Sequence, residues 1–298
     1  MTGFVQSKIE LERDVQNELL NWKNKRHHTV LQIEGPWHVG KTHEVKKFVY
    51  SHYKQVVYVN LVRDEYGFED LMLTDHFMRE YCRNAGIGEY VDDESTVLVI
   101  DEIQERANVY NAIRDLREQL GCDIIVSGSY LARTVNSRDF FLPAGIAYLQ
   151  MYPLSFKEFC RALNIEDILE TISLKSESKD EDYQKLEEAY QVYRKIGGYP
   201  LVVTTFIESR QIDDCMVVLE DLIRTFTAES SRFFTNSTAL SIFQEAYKAV
   251  LVQIAEEKKG TGKTFLEFVT NFVKDTVKEP VSRNEARTAA SWLLYSGI

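Results

Sequence analysis

Gly35-Pro36-Trp37-His38-Val39-Gly40-Lys41-Thr42 has the spacing G-x-x-x-x-G-K-[ST], and its setting completes it. The apolar run Val30-Leu31-Gln32-Ile33 before it reads as a buried strand. His43 to Tyr50 after it reads as a helix with Val45, Phe48 and Val49 on one face. A loop between strand and helix points successive backbone N–H groups, and the positive end of the helix dipole, at a phosphate chain. Gly35 and Gly40 permit backbone conformations that a side chain would block. Lys41 would reach the terminal phosphates and the Thr42 hydroxyl would ligate Mg²⁺. The nucleotide-binding residues expected from this string are therefore Gly35, Pro36, Trp37, His38, Val39, Gly40, Lys41 and Thr42.

A second string belongs with the first. Ser95-Thr96-Val97-Leu98-Val99-Ile100-Asp101-Glu102 is a β-branched apolar run ending in two carboxylates. A strand so apolar is buried on both faces, as in a parallel sheet between helices. Ligands bind at the carboxyl ends of such strands. Asp101 is placed to hold the Mg²⁺ hydration shell, and Glu102 to orient or deprotonate the water that attacks the terminal phosphate.

The remaining pattern extends this sheet. Leu11 to Lys25 is an amphipathic helix carrying Leu11, Val15, Leu19 and Trp22 on one face. Strands are expected at Val56–Asn60, Cys122–Val126 and Ile146–Met151, with helices at Phe68–Ala85 and through Val109, Ala112, Ile113, Leu116 and Leu120. Strands alternating with helices give a parallel α/β sheet covered on both faces.

After Pro153 the alternation stops. Helices are expected at Ser155–Leu163, Tyr183–Ile196 and Val218–Phe226, with a solvated loop over Thr171–Asp182. Gly197-Gly198 ends one helix, and Pro200 prevents its continuation. Three more helices follow: Ala239–Glu256, Thr264–Lys274, and one opened by the capping box Ser282-Arg283-Asn284-Glu285, with Ala286, Ala289, Ala290, Leu293 and Leu294 facing its core. That order suggests a helix-turn-helix or winged-helix module. Gly260-Thr261-Gly262-Lys263-Thr264 imitates a phosphate loop, but Glu257 stands where the first glycine belongs and no apolar strand precedes it.

Composition narrows the function classes. The chain has 298 residues and a net charge of −11, which opposes nonspecific nucleic-acid binding by the surface as a whole. No apolar stretch is long enough to span a membrane, and the polar start does not read as a signal peptide. Cys82, Cys122, Cys160 and Cys215 are scattered and read as reduced thiols of a cytoplasmic protein.

Taken in order, the phosphate loop, Val97 to Glu105, Val126-Ser127-Gly128-Ser129, Tyr152-Pro153-Leu154-Ser155-Phe156-Lys157-Glu158-Phe159 and Gly197-Gly198-Tyr199-Pro200 resemble the prokaryotic ATPases of the AAA+ superfamily. In those proteins the ATPase core precedes a C-terminal domain of unknown function. Archaeal ATPases and STAND-type switch NTPases look similar. The resemblance implies an AAA+-like core over residues 1–154 with a five-stranded parallel sheet, a helical lid over 155–236, and a winged-helix-like module over 237–298 cut before its wing. It implies a sensor at Ser127 or Ser129 reading the terminal phosphate, and Pro200 brought against the nucleotide.

Two departures from that pattern concern function. Gly145-Ile146 stands where relatives carry Gly-Arg, so Arg133 or Arg138 would have to supply any arginine finger. Trp37-His38 replaces Arg-Gln and makes the loop rim bulkier. The expected activity is a slow, Mg²⁺-dependent ATP hydrolysis that moves the lid and winged helix. The alternative is a STAND-like nucleotide-gated switch whose output is a protein or DNA contact. ATP or ADP is the expected ligand, with a protein partner or self-association; DNA contact is expected to be weak. A small-molecule kinase is disfavoured, because the helical lid lacks an arginine-rich clamp.

Overall fold

Alternate residues of one strand show how the sheet is buried. In β3 (Thr96–Asp101), Val97 and Val99 enter one apolar cluster, and Leu98 and Ile100 enter another on the opposite face. Side chains alternate at a period of two, so a strand that is apolar throughout needs cover on both sides. Helices supply it. The first face packs Leu19 and Trp22 of α1 (Val15–Lys23) with Val45, Phe48 and Val49 of α2 (Lys41–His52). The second packs Phe68 of α3 (Phe68–Leu71), Phe77 and Tyr81 of α4 (Phe77–Asn84), Tyr110 of α5 (Ala107–Asn111) and Ile113 of α6 (Ile113–Gln119).

The five strands are β1 (Val30–Glu34), β2 (Gln55–Asn60), β3, β4 (Asp123–Ser127) and β5 (Ile146–Gln150), ordered β2-β3-β4-β1-β5 and parallel at every pairing. This is the expected sheet, with each strand within a residue or two of its sequence position. The computed structural model describes residues 9–25, 29–129, 145–173, 178–230, 237–256, 265–277 and 281–296. Arg133, Arg138 and the Gly260–Thr264 string lie outside the described residues.

One expected helix is broken. Instead of running from Phe68 to Ala85, the chain forms α3 and α4, separated by a turn in which His76 takes a positive φ of 62°. The reason is the core. Phe68 and Phe77 are nine positions apart, about two and a half helical turns, so a continuous helix would send them to opposite sides. The break brings both rings inward, edge to face with centroids 5.9 Å apart. The next expected helix is likewise divided, at Ala112, into α5 and α6.

The chain divides into two compact units, Met1–Cys215 and Met216–Ile298. After β5 the first unit continues with α7 (Phe156–Ala162), α8 (Glu166–Thr171), α9 (Asp180–Ile196) and α10 (Pro200–Ser209). Ser155 caps α7: its hydroxyl accepts from the Glu158 N–H while the Glu158 carboxylate accepts from the Ser155 N–H. Helix α11 (Ile212–Ser230) starts in the first unit and runs into the second.

The second unit holds α12 (Ser237–Glu256), α13 (Phe265–Thr276) and α14 (Arg283–Ser296), each packed on the other two. The Ser282–Glu285 capping box forms as expected, and Ala286, Ala289 and Ala290 are fully buried. The side chains of Leu293 and Leu294 lie outside the described set. Among the described residues this unit has helices and no strand. No helix among the described residues is long and apolar enough to cross a membrane.

Candidate nucleotide site

Sheet order assembles the site. Strand β4 lies between β1, which feeds the phosphate loop, and β3, which ends in Asp101. Three strand ends therefore meet at one edge of the sheet, where ligands of open α/β folds bind.

The loop is shaped by close backbone approach. A β-carbon on Gly35 would stand 2.3 Å from the Met151 carbonyl oxygen, so only glycine fits against the end of β5. Gly40 has a φ of 95°, which L side chains rarely adopt, and it starts α2. Val39 is buried beneath the loop, and Trp37 is half-buried, its ring tilted against His38 with centroids 4.2 Å apart.

Lys41 is only 7% exposed. Its ammonium donates to the carbonyls of Gly35 (2.9 Å) and Pro36 (2.8 Å), so it curls back along the loop. Burial pushes its pKa down to about 8, against the pull of the Glu102 and Asp101 carboxylates. A buried cation solvated by loop carbonyls suits an incoming polyanion, which would restore a full counter-charge.

Asp101 is the hub of the polar contacts. One carboxylate oxygen accepts from the Thr42 hydroxyl (2.9 Å) and the Tyr58 hydroxyl (2.5 Å). The other accepts from the Ser127 hydroxyl and the Glu102 backbone N–H (3.1 Å). Four donors orient a carboxylate that is 2% exposed. Burial and the adjacent Asp101 carboxylate hold the Tyr58 phenol far above the usual tyrosine range, so it remains a donor. Thr42 and Asp101 are thus joined as a pair that could hold Mg²⁺, sharing it with phosphate oxygens. Among the described residues, no group of three or more His, Cys, Asp or Glu side chains could hold a metal by itself.

Glu102 follows with a left-handed backbone, φ 56° and ψ 42°. Such a conformation costs a non-glycine residue on the order of 1 kcal/mol and persists where the surroundings demand it. Burial raises its carboxyl pKa, helped by Asp101 and opposed by a hydrogen bond from Gln104 and by the Lys41 charge. The two serines differ in their contacts. Ser127, fully buried, bonds Asp101, whereas Ser129 gives its backbone N–H to Gln104 Oε1 at 3.3 Å.

Pro200 comes to the loop. A β-carbon on Gly40 would lie 3.9 Å from Pro200 Cγ. This placement depends on Gly198, where a β-carbon would be 2.0 Å from the Leu154 carbonyl oxygen, and whose own carbonyl accepts from Leu154 N–H at 2.6 Å. The Tyr193 hydroxyl donates to the same Leu154 carbonyl at 2.7 Å. The Pro-Leu-Ser-Phe and Gly-Gly-x-Pro strings therefore meet each other beside the phosphate loop.

Arg13, Tyr58 and Gln104 received no role from sequence reasoning. Arg13 donates from Nη1 to the Val39 carbonyl (3.1 Å), from Nη2 to the Tyr152 carbonyl (2.7 Å) and from Nε to Glu158 (2.9 Å). Its only mark in the sequence is a single cation within the acidic run Glu10-Leu11-Glu12-Arg13-Asp14. Tyr58 is marked only as a hydroxyl within the apolar run of β2.

Residues 27–160 match the family described as an AAA domain. An uncharacterized protein of Haemophilus influenzae is 29% identical over 110 residues, which are 37% of this chain and 24% of that protein. The matched part thus spans about a quarter of that relative's length. A Walker-type ATPase of Pyrococcus abyssi is 13% identical, with a TM-score of 0.48 over 95% of this chain and 96% of its own. The Orc1 protein of Aeropyrum pernix, solved in complex with DNA, is 14% identical, with a TM-score of 0.38 over 100% of this chain and 86% of its own.

Proposed function

We propose that the protein is a Mg²⁺-dependent ATPase whose nucleotide state is passed to its helical parts, a reading supported by the match of residues 27–160 to the AAA domain family. The observation that carries this reading is the 2.9 Å hydrogen bond between the Thr42 hydroxyl and Asp101, which joins the phosphate loop to the carboxylate strand. Backbone N–H groups of the loop bind the phosphates, and Lys41 exchanges its carbonyl partners for phosphate oxygens. Mg²⁺, when bound, neutralises charge on the phosphates; Thr42 and Asp101 would hold it. Glu102 orients the attacking water and accepts its proton. Ser127 holds Asp101 in place, and Ser129 stands beside the terminal-phosphate end of the site.

A second reading, a nucleotide-gated switch with little turnover, is favoured by one observation. Pro200 stands beside Gly40, so a shift of the loop would bear on the start of α10. Its output would be a contact with a protein partner, a second copy of the chain or, weakly, DNA. The two readings separate in one experiment. Glu102→Gln should retain MgATP and lose about 10²–10⁴-fold in hydrolysis rate, the span of a general base. Equal rates in variant and wild type would refute the role of Glu102. ATP that stays bound and unhydrolysed in the wild type would favour the switch.

A further inference from the structure

Gln104 occupies the short 3₁₀ turn Ile103–Glu105 that follows β3. Its amide is used at both ends. Nε2 donates to Glu102 Oε2 at 2.6 Å, and Oε1 accepts from the backbone N–H of Ser129 at 3.3 Å. A carboxylate only accepts and a backbone N–H only donates, so these partners fix which way the amide points. One side chain therefore ties the residue after β3 to the segment after β4. Ser129 is 4% exposed and Gln104 half-buried, so water competes poorly for these bonds.

Glutamine suits this place better than its neighbours in chemistry. Glutamate would set a second negative charge against Glu102, asparagine is a methylene too short to reach both partners, and lysine offers no acceptor to Ser129. With one Glu102 oxygen engaged by Gln104, the remaining lone pairs are left to accept a hydrogen bond from water. A glutamate side chain with three rotatable bonds would otherwise wander among rotamers, and the ordering would have to be supplied at each turnover.

We propose that Gln104 is the positioning residue for Glu102, and that it makes the orientation of that carboxylate depend on the Ser127–Ser129 segment. The inference rests on the reading of Glu102 as the water-orienting group. Its consequence is a relay: displacement of the Ser129 backbone loosens Gln104, and Gln104 in turn releases Glu102.

The test uses the full chain with Gln104→Ala, and with Gln104→Met as a variant of similar volume should the first fold poorly. In the nucleotide-free protein, hydrogen exchange at the Ser129 amide should quicken tenfold or more, because its acceptor is gone. MgATP affinity, measured by calorimetry, should stay within about twofold, while single-turnover hydrolysis falls roughly 10- to 100-fold, the scale of a misplaced catalytic group. In a Glu102→Gln background the same substitution should cause no further loss, since the carboxylate it positions is already absent. A purely structural defect would multiply instead, and that result overturns the proposal. So does an unchanged Ser129 exchange rate, or wild-type turnover in Gln104→Ala beside an inactive Glu102→Gln. If Glu102→Gln itself turns over like wild type, the catalytic reading of Glu102 has failed and the role of Gln104 falls with it.

Discussion

Arg13 and Glu158 meet in a buried ion pair, Nε 2.9 Å from Oε1, with side chains 5% and 7% exposed. The pair joins the segment before α1 to the first turn of α7, and the same guanidinium holds the Val39 carbonyl in the phosphate loop. Asp14 N–H adds a third donor to the Glu158 carboxylate at 2.9 Å, besides Ser155 and Arg13.

Arg13→Met should destabilise the first unit by about 3–5 kcal/mol, the usual cost of stripping one partner from a buried pair. The substitution leaves the Glu158 carboxylate without its counter-charge and the Val39 and Tyr152 carbonyls without this donor. Denaturant titration followed by the emission of Trp22, itself 4% exposed, would measure it. A shift below about 1 kcal/mol, the surface-pair range, would mean the pair is solvated in solution.

The same site sets an acid limit. Burial alone would raise the Glu158 pKa, but the N–H groups of Ser155 and Asp14 and the Arg13 charge more than reverse this, leaving it below the ordinary range. A depressed carboxyl stabilises the fold fully above its unfolded value, about 4.3. That contribution fades as the pH falls through the lower folded value. Wild type should therefore lose stability below about pH 4 more steeply than Glu158→Gln. Parallel curves would refute the assignment.

Lys41→Ala should weaken MgATP binding by roughly 10²-fold or more, the worth of charge-assisted bonds to phosphate. Stability should hold or rise, because a buried ammonium bonded to loop carbonyls is removed. Calorimetric titration beside a thermal melt reads both. A folded variant with wild-type affinity would mean the nucleotide binds elsewhere.

Asp101→Asn should act on the metal. The ratio of ATP dissociation constants in EDTA and in Mg²⁺ should fall towards one, while binding in EDTA stays near wild type. A ratio equal to that of wild type would remove Asp101 from the Mg²⁺ site.

Gly198→Ala should cost about 3 kcal/mol or more, at the upper end for overpacking, because the obstruction is the Leu154 backbone and cannot rotate away. Urea unfolding midpoints of the two proteins measure it. A cost under about 1 kcal/mol would show that the two segments stand farther apart than the geometry here.

What the sequence revealed and what it concealed follow from range. The phosphate loop, Asp101 and the five strands were legible because each is a local pattern: a spacing, or a run whose period reports burial on one or both faces. The Ser282–Glu285 cap was legible for the same reason. The break between α3 and α4 was not, because periodicity says that Phe68 and Phe77 are buried without saying that they share a core. Arg13 was hidden because its partners, Val39, Tyr152 and Glu158, are distant in the chain. Tyr58 and Gln104 were hidden for a related reason. A hydroxyl in a strand and an amide in a turn gain meaning only once β3 lies between β2 and β4.

The crowding at Gly198 has a mechanical consequence. With no space for a side chain between its α-carbon and the Leu154 carbonyl, the start of α10 is gauged from the segment that joins β5 to α7. Pro200, two residues on, stands across from Gly40 with room between them for one methyl group. The Leu154 backbone is thereby a datum for the first turn of α10, and it fixes where Pro200 stands beside the phosphate loop.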